Sequence, residues 1–153
     1  MSDFKNLYLN NQLCFALYSA THAVTRSYRE HLNKIGLTYP QYLVMLALWQ
    51  FKNQTVKSLA ELLNLDSPTL TPLLKRLETA GLINRLRSKE DERVVNISLT
   101  KNGLSLQEKV SEIQQKVSCE TGLTKLEYVD LRSKLHHLLD SMDNKEQRLV
   151  VEK

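Results

Sequence analysis

Residues Thr55 to Leu99 read TVKSLAELLNLDSPTLTPLLKRLETAGLINRLRSKEDERVVNISL. Val56, Leu59, Ala60, Leu62 and Leu63 recur at helical spacing, and Thr55 is placed to cap a first helix over Val56–Leu63. The link Asn64–Leu65–Asp66 is long enough only for a turn. A second helix, from about Ser67 to Ala80, directs Leu70, Leu73, Leu74 and Leu77 inward and leaves Thr69, Thr71, Lys75 and Arg76 outside. Gly81 ends it as a left-handed cap, with Leu82 packing back. Two short segments of strand-like composition follow, Leu82–Arg87 and Arg93–Leu99. The second keeps Val95, Ile97 and Leu99 on one face and Asn96 and Ser98 on the other. Between them Ser88–Glu92 forms a charged tip. The expected fold is mainly α with a small β-hairpin, a winged helix-turn-helix.

That layout points to duplex DNA. Short hydroxyls and long cations on one helix face suit a groove floored by base edges and walled by phosphates. A hairpin tip carrying Arg93 suits a minor groove, where narrow A·T tracts attract arginine. Asp91 stands two residues before Arg93 and is expected to hold its guanidinium in one rotamer. The chain's net charge of +4 is modest. Its distribution says more. Lys75, Arg76, Arg85, Arg87, Lys89, Arg93 and Lys101 face only Glu78, Glu90, Asp91 and Glu92 in the same stretch, which predicts salt-sensitive phosphate contacts.

The 153 residues are one domain's worth of chain, able to bury a core without disulfides or metals. The longest apolar run, Tyr42 to Trp49, is far short of a membrane span, and no charged-then-apolar signal segment opens the sequence. A cytoplasmic location is expected, where two cysteines rarely form a permanent staple. Helices are expected from near Leu7 to Lys34 (stopping at Gly36), from Pro40 to about Phe51 behind a Thr38–Gln41 capping box, from Thr100 to about Val117 with Gly103 inside, and from a Thr124–Glu127 capping box to roughly Leu149. The last carries Leu126, Leu131, Leu135, Leu138 and Leu139. Segments 5–36 and 100–150 exceed what a reading module needs, so they are assigned to a helical dimerisation region around the 55–99 lobe. A two-fold dimer places two reading heads on successive turns of a pseudo-palindromic site. Pro72 breaks a local rule: inside the second helix it crowds the carbonyl of Pro68, so that helix either starts late or has a distorted first turn.

Cys14 lies in Leu13-Cys-Phe-Ala-Leu-Tyr18, and Tyr8, Tyr18, Tyr28, Tyr39 and Tyr42 share the first third of the chain. A small buried hydrophobe is one reading of this cysteine; a reactive thiol is the other. Tyr18, at i+4, shares its face. Tyr28 does nearly so, but stands about 21 Å up a continuous helix at 1.5 Å per residue. An antiparallel partner helix in a dimer is one way to bring that phenol to the sulfur, where hydroxyl donors favour thiolate over thiol.

The segments Gln12-Leu-Cys-Phe-Ala-Leu-Tyr18, Leu37-Thr-Tyr-Pro-Gln-Tyr-Leu43, Asp66-Ser-Pro-Thr-Leu-Thr-Pro-Leu-Leu-Lys-Arg-Leu77 and Glu90-Asp-Glu-Arg93 closely resemble the organic-hydroperoxide-responsive (OhrR) subgroup of the MarR family. The resemblance implies a homodimeric repressor without a cofactor, whose reactive Cys14 is hydrogen-bonded by Tyr28 and Tyr39 of the other subunit. It implies a major-groove helix over Ser67–Arg76, carrying Ser67, Thr69, Thr71, Lys75 and Arg76, and a wing with Arg87 and the pair Asp91 and Arg93. It further implies that organic hydroperoxides oxidise Cys14 to a sulfenic acid, releasing DNA and a gene for a thiol peroxidase. Cys119 resembles the resolving cysteine of two-cysteine members, implying an intersubunit Cys14–Cys119 disulfide.

Other classes compete. A MarR-type dimer sensing a small phenolic or lipophilic ligand would use an apolar cleft near Phe15, Tyr18 and Met45. A broader thiol regulator of SarZ or MgrA type shares the cysteine and part of the tyrosine pattern. An enzyme is not expected: His22 and His31 lie nine apart, His136 and His137 face different ways, and neither pair has ligand spacing to a cysteine or carboxylate cluster. No Gly-rich phosphate loop or nucleophile elbow is present.

Overall fold

The structure is a computed structural model describing residues 4–151, with side chains to Asp143. Its elements are α1 (Leu13–Leu32), α2 (Tyr39–Phe51), β1 (Gln54–Thr55), α3 (Val56–Leu63), α4 (Ser67–Thr79), β2 (Ile83–Arg87), β3 (Val95–Leu99), α5 (Lys101–Glu120) and α6 (Lys125–Val151). Short 3-10 turns at Lys5–Leu7, Leu9–Asn11 and Asn33–Ile35 flank α1. The chain divides into two compact units after Val117.

In the first unit, α2 supplies the centre. Its side chains Tyr42, Val44, Met45, Ala47 and Leu48 are all buried, and the expected Thr38–Gln41 capping box starts it. Gln41 returns the bond, its Oε1 accepting from the Thr38 amide at 2.9 Å. Against α2 pack Leu59 of α3, Leu70, Leu74 and Leu77 of α4, Ile83 and Ile97 of the sheet, and Val110 and Ile113 of α5. A fully buried leucine contributes roughly 2 kcal/mol, so the three α4 leucines anchor that helix firmly. The helix starts are side-chain capped as read: Thr55 Oγ1 accepts from the Ser58 amide at 3.1 Å, and Thr100 Oγ1 from the Gly103 amide at 3.0 Å. At the end of α4, Gly81 adopts φ +70°. The Leu82 amide then reaches back to the Leu77 carbonyl at 3.0 Å, the closing bond of a Schellman cap.

Four expectations are corrected. First, α1 begins at Leu13 rather than near Leu7. The polar run Asn10–Gln12 turns its side chains onto the backbone: Asn11 Nδ2 donates to the Lys5 carbonyl at 2.7 Å, and Gln12 Nε2 to those of Asn6 and Tyr8. Such local bonds compete with helix. Second, the hairpin gains a third strand, in the order β1-β3-β2, through Gln54↔Ile97 and Thr55↔Asn96. Two residues are too few to show alternation. Third, Leu62 is exposed, because six residues from Val56 it lies about 240° round the helix, off the Val56–Leu59–Ala60–Leu63 stripe. Fourth, of the two outcomes expected for α4 the late start is overturned: the helix begins at Ser67, with Pro68 in its first turn, and runs through Pro72.

In the second unit α6 opens with the expected box, the Thr124 amide donating to Glu127 Oε2 at 2.8 Å. Leu126, Val129, Leu131, Leu135, Leu139 and Met142 are exposed along it. On α1, Leu13, Tyr18 and Val24 are likewise exposed. No described helix is long and apolar enough to cross a membrane.

Candidate redox site and nucleic-acid interface

The face expected to read DNA is built on α4. Asp66 sits in extended backbone at the N-cap, its Oδ1 accepting from the Thr69 amide at 2.8 Å. Bonds from the Thr69 hydroxyl, and then from its amide, hold the Asp66 carboxyl below its ordinary value. Ser67, Thr69, Lys75 and Arg76 are exposed, while Thr71 is half-buried and donates its hydroxyl to the Ser67 carbonyl at 2.8 Å. Because ionised Asp66 makes the stronger cap, its support of α4 is complete above the ordinary value of 3.8 and is lost as pH falls through the lowered folded value. An NMR titration should therefore show the Asp66 carboxyl carbon and the Thr69 amide proton shifting together, with a midpoint below that of an unstructured aspartate.

The wing tip is tied by its own backbone. The Ser88 amide donates to the Val94 carbonyl at 2.8 Å, and that of Val94 to the Asp91 carbonyl at 2.9 Å. Ser88 Oγ accepts from the amides of Glu90 and Asp91 at 3.2 and 3.4 Å. Asp91 Oδ1 takes the backbone N–H of Arg93 at 2.9 Å. The expected grip on the guanidinium is thus replaced by an Asx turn: the carboxylate shapes the loop and leaves the Arg93 and Arg87 side chains exposed. Sequence reading missed the contact between Arg85 Nη1 of β2 and Glu78 Oε2 of α4 at 3.5 Å, which links the hairpin to α4. Their opposite charges seven residues apart were the available signal.

At the sulfur end, the late start of α1 puts Cys14 in its first turn, exposed. Tyr18 turns its ring edge-on to His22, centroids 4.2 Å apart, rather than to the sulfur. Tyr28, Tyr39 and Tyr42 gather where α1 hands over to α2, with centroids 5.0–5.8 Å apart. The Tyr42 hydroxyl donates to that of Tyr28 at 3.4 Å. Tyr42, not assigned a role from sequence, is therefore the third phenol of the group, and its i+3 spacing from Tyr39 was the clue. Since Cys14 and Tyr28 share one unbroken helix, they stand about 21 Å apart along it.

Cys119, the penultimate residue of α5, is exposed, and its carbonyl accepts from the Gly122 amide at 3.1 Å. Met45, expected beside a ligand cleft, is instead fully buried. A groove of about 410 Å³ opens between α2 and α5, lined by Tyr42, Leu46, Gln107, Val110 and Gln114 among others. Among the described residues, no three His, Cys, Asp or Glu side chains converge as metal ligands would.

A helix-turn-helix with an exposed cationic face and a tied wing defines a winged-helix regulator. The profile of the family "Transcriptional regulator SarA/Rot" matches residues 26–113. The "Organic hydroperoxide resistance transcriptional regulator" of Bacillus subtilis (strain 168) is 47% identical over 147 residues, 94% of this chain and 98% of that protein. The "HTH-type transcriptional regulator SarZ" of Staphylococcus haemolyticus (strain JCSC1435) is 38% identical over 137 residues, 90% of this chain and 93% of that protein. Reduced AbfR bound to DNA, from Staphylococcus epidermidis, superposes with a TM-score of 0.78 at 38% identity, covering 89% of this chain and 93% of that one. The disulfide-formed AbfR gives 0.65 at 41% identity, over 86% and 92%. A mutant MarR of E. coli, complexed with operator DNA, gives 0.77 at 26% identity, over 90% and 99%. The chain belongs to the SarA/Rot family of transcriptional regulators, within the MarR class.

Proposed function

We propose that this chain is a cytoplasmic, redox-sensing repressor that grips operator DNA as a homodimer and releases it when Cys14 is oxidised. One observation carries the reading: an exposed thiol in the first turn of α1 and a cluster of three phenols stand at opposite ends of the same helix. An antiparallel second copy brings each thiol to the other's phenols. Tyr39, the least buried of the three, meets the sulfur first. The exposed apolar face of α1 and, separately, that of α6 each give such a copy apolar area to cover. Ser67, Thr69, Thr71, Lys75 and Arg76 then face the major groove, with Arg87, Asp91 and Arg93 supplying the wing.

The Cys14 thiolate attacks a hydroperoxide, the O–O bond breaks, an alcohol leaves after taking a proton, and a sulfenic acid remains. Attack by the Cys119 thiol of the other subunit forms the S–S bond and expels water. That disulfide redraws the dimer and changes the spacing of the reading heads.

The relatives favour a thiol regulator of the broad SarZ and AbfR type, AbfR having both a reduced, DNA-bound form and a disulfide form. Organic hydroperoxides are the proposed oxidant within that type, on the strength of the Bacillus relative. Gel shifts of the reduced protein against cumene hydroperoxide and hydrogen peroxide test the oxidant: release at lower dose by the organic one is expected, and equal potency argues for a general peroxide sensor. Non-reducing gels test the resolving step. Oxidised wild type should run as a covalent dimer and Cys119→Ser as a monomer; a dimer band that persists in Cys119→Ser removes Cys119 from the mechanism.

A further inference from the structure

Thr100 is the only residue between the end of β3 and the start of α5, so the wing passes into that helix without a hinge. Its amide donates to the Leu82 carbonyl at 3.0 Å. Its hydroxyl donates to the Gly81 carbonyl at 2.6 Å and accepts from the Gly103 amide at 3.0 Å. Gly81 and Leu82 are the residues that close the Schellman cap of α4. From the other side, Trp49 Nε1 of α2 donates to the Gly103 carbonyl at 3.0 Å, across 54 residues of sequence. Gly103 itself lies so tightly on Leu82 that a Cβ there would stand 2.1 Å from the Leu82 carbonyl oxygen. The recognition helix, the wing, α2 and the head of α5 therefore meet at one point, through directional bonds and a backbone contact. None of these four residues, Trp49, Leu82, Thr100 or Gly103, belongs to the reading face or to the thiol site.

We infer that this joint makes the reading lobe turn as a rigid body with α5, the helix that carries Cys119 near its far end. The inference rests on the reading that oxidation moves the dimer helices. Backbone groups that are bonded on both sides of a junction resist independent motion, so a displacement of α5 reaches α4 and the wing undiminished. Loosening the joint should spare the grip on DNA and blunt the response to oxidation.

Trp49→Phe removes one donor, and Thr100→Val removes a hydroxyl at nearly constant shape. For each full-length variant, operator affinity is measured in the reduced and the oxidised state. Reduced affinity should stay within about threefold of wild type, the scale of one lost hydrogen bond. The oxidised-to-reduced affinity ratio should shrink by about tenfold. An unchanged ratio in both variants overturns the joint. Native-state hydrogen exchange of the reduced protein supplies a readout independent of oxidation. Amides of α4, the wing and the first turns of α5 should open as one unit in wild type and as separate units in the variants; separate opening in wild type also overturns it. A wild type that keeps its DNA after oxidation sinks the proposed function instead, leaving the joint to be judged on exchange alone.

Discussion

Cys14→Ser is expected to bind operator DNA like the reduced wild type and to keep it under peroxide. The side chain is exposed and packs into no core, so exchanging sulfur for oxygen leaves α4, the wing and the caps untouched. What disappears is the nucleophile: a serine hydroxyl does not attack an O–O bond at neutral pH, because it carries no appreciable alkoxide. Anisotropy titrations with a fluorescent operator duplex should show wild-type affinity falling by about 10- to 100-fold after oxidation, the usual range of coupling free energies. For Cys14→Ser the change should be less than about twofold. The same experiment separates the redox reading from its rival. A dimer that senses a small phenolic ligand, through a groove such as that between α2 and α5, keeps its response in the serine variant. Release of DNA from Cys14→Ser at the wild-type peroxide dose would remove Cys14 as the sensor.

The parts of the fold that sequence foretold are those where a local rule fixes a local shape. Leu70, Leu74 and Leu77 repeat at helical spacing, and all three prove fully buried. Thr38, Thr55 and Thr100 stand where orphan amides need acceptors, and each accepts one. Gly81 was placed by the demand for positive φ at a helix end, and has it. The misses arise where a residue had two possible partners. Asn11 and Gln12 preferred backbone carbonyls to helix, which shortened α1. Asp91 preferred an amide two residues on to a guanidinium. Met45 looked like a cleft residue because apolar spacing says that a side chain is buried, not by what.

The thiol site was half legible. The cysteine, the tyrosines and the helical distance between them were countable. The clustering of Tyr42 with Tyr28 and Tyr39 required the turn between α1 and α2, where Gly36 takes φ +75° and folds one helix back on the other. The joint at Gly103 was invisible, since a glycine within a helix reads as a small penalty rather than a contact.

That glycine carries the second large effect. Alanine is ordinarily better than glycine in a helix, by up to about 1 kcal/mol in the interior and by less in a first turn such as that of Gly103, so propensity alone predicts that Gly103→Ala does not weaken α5. Packing reverses the sign. The added methyl would lie 2.1 Å from the Leu82 carbonyl oxygen, 3.1 Å from its carbon and 3.2 Å from Leu99 Cδ2. The first two are backbone atoms, fixed by the Thr100 amide and the Schellman cap, so neither can swing aside as a side-chain end does. Relief requires α5 to lift from the α4 cap, stretching the Thr100 and Trp49 bonds together. Overpacking costs typically 1–3 kcal/mol, and with bonds lost besides, Gly103→Ala should destabilise the fold by about 2–4 kcal/mol. Urea unfolding followed by circular dichroism, with midpoint and slope compared with wild type, measures it. Gly103→Ser should fare no better, because the obstacle is the Cβ itself. A Gly103→Ala variant as stable as wild type would show that α5 has room to move away from Leu82 at no cost, and that the close approach is not what fixes the reading lobe to its helix.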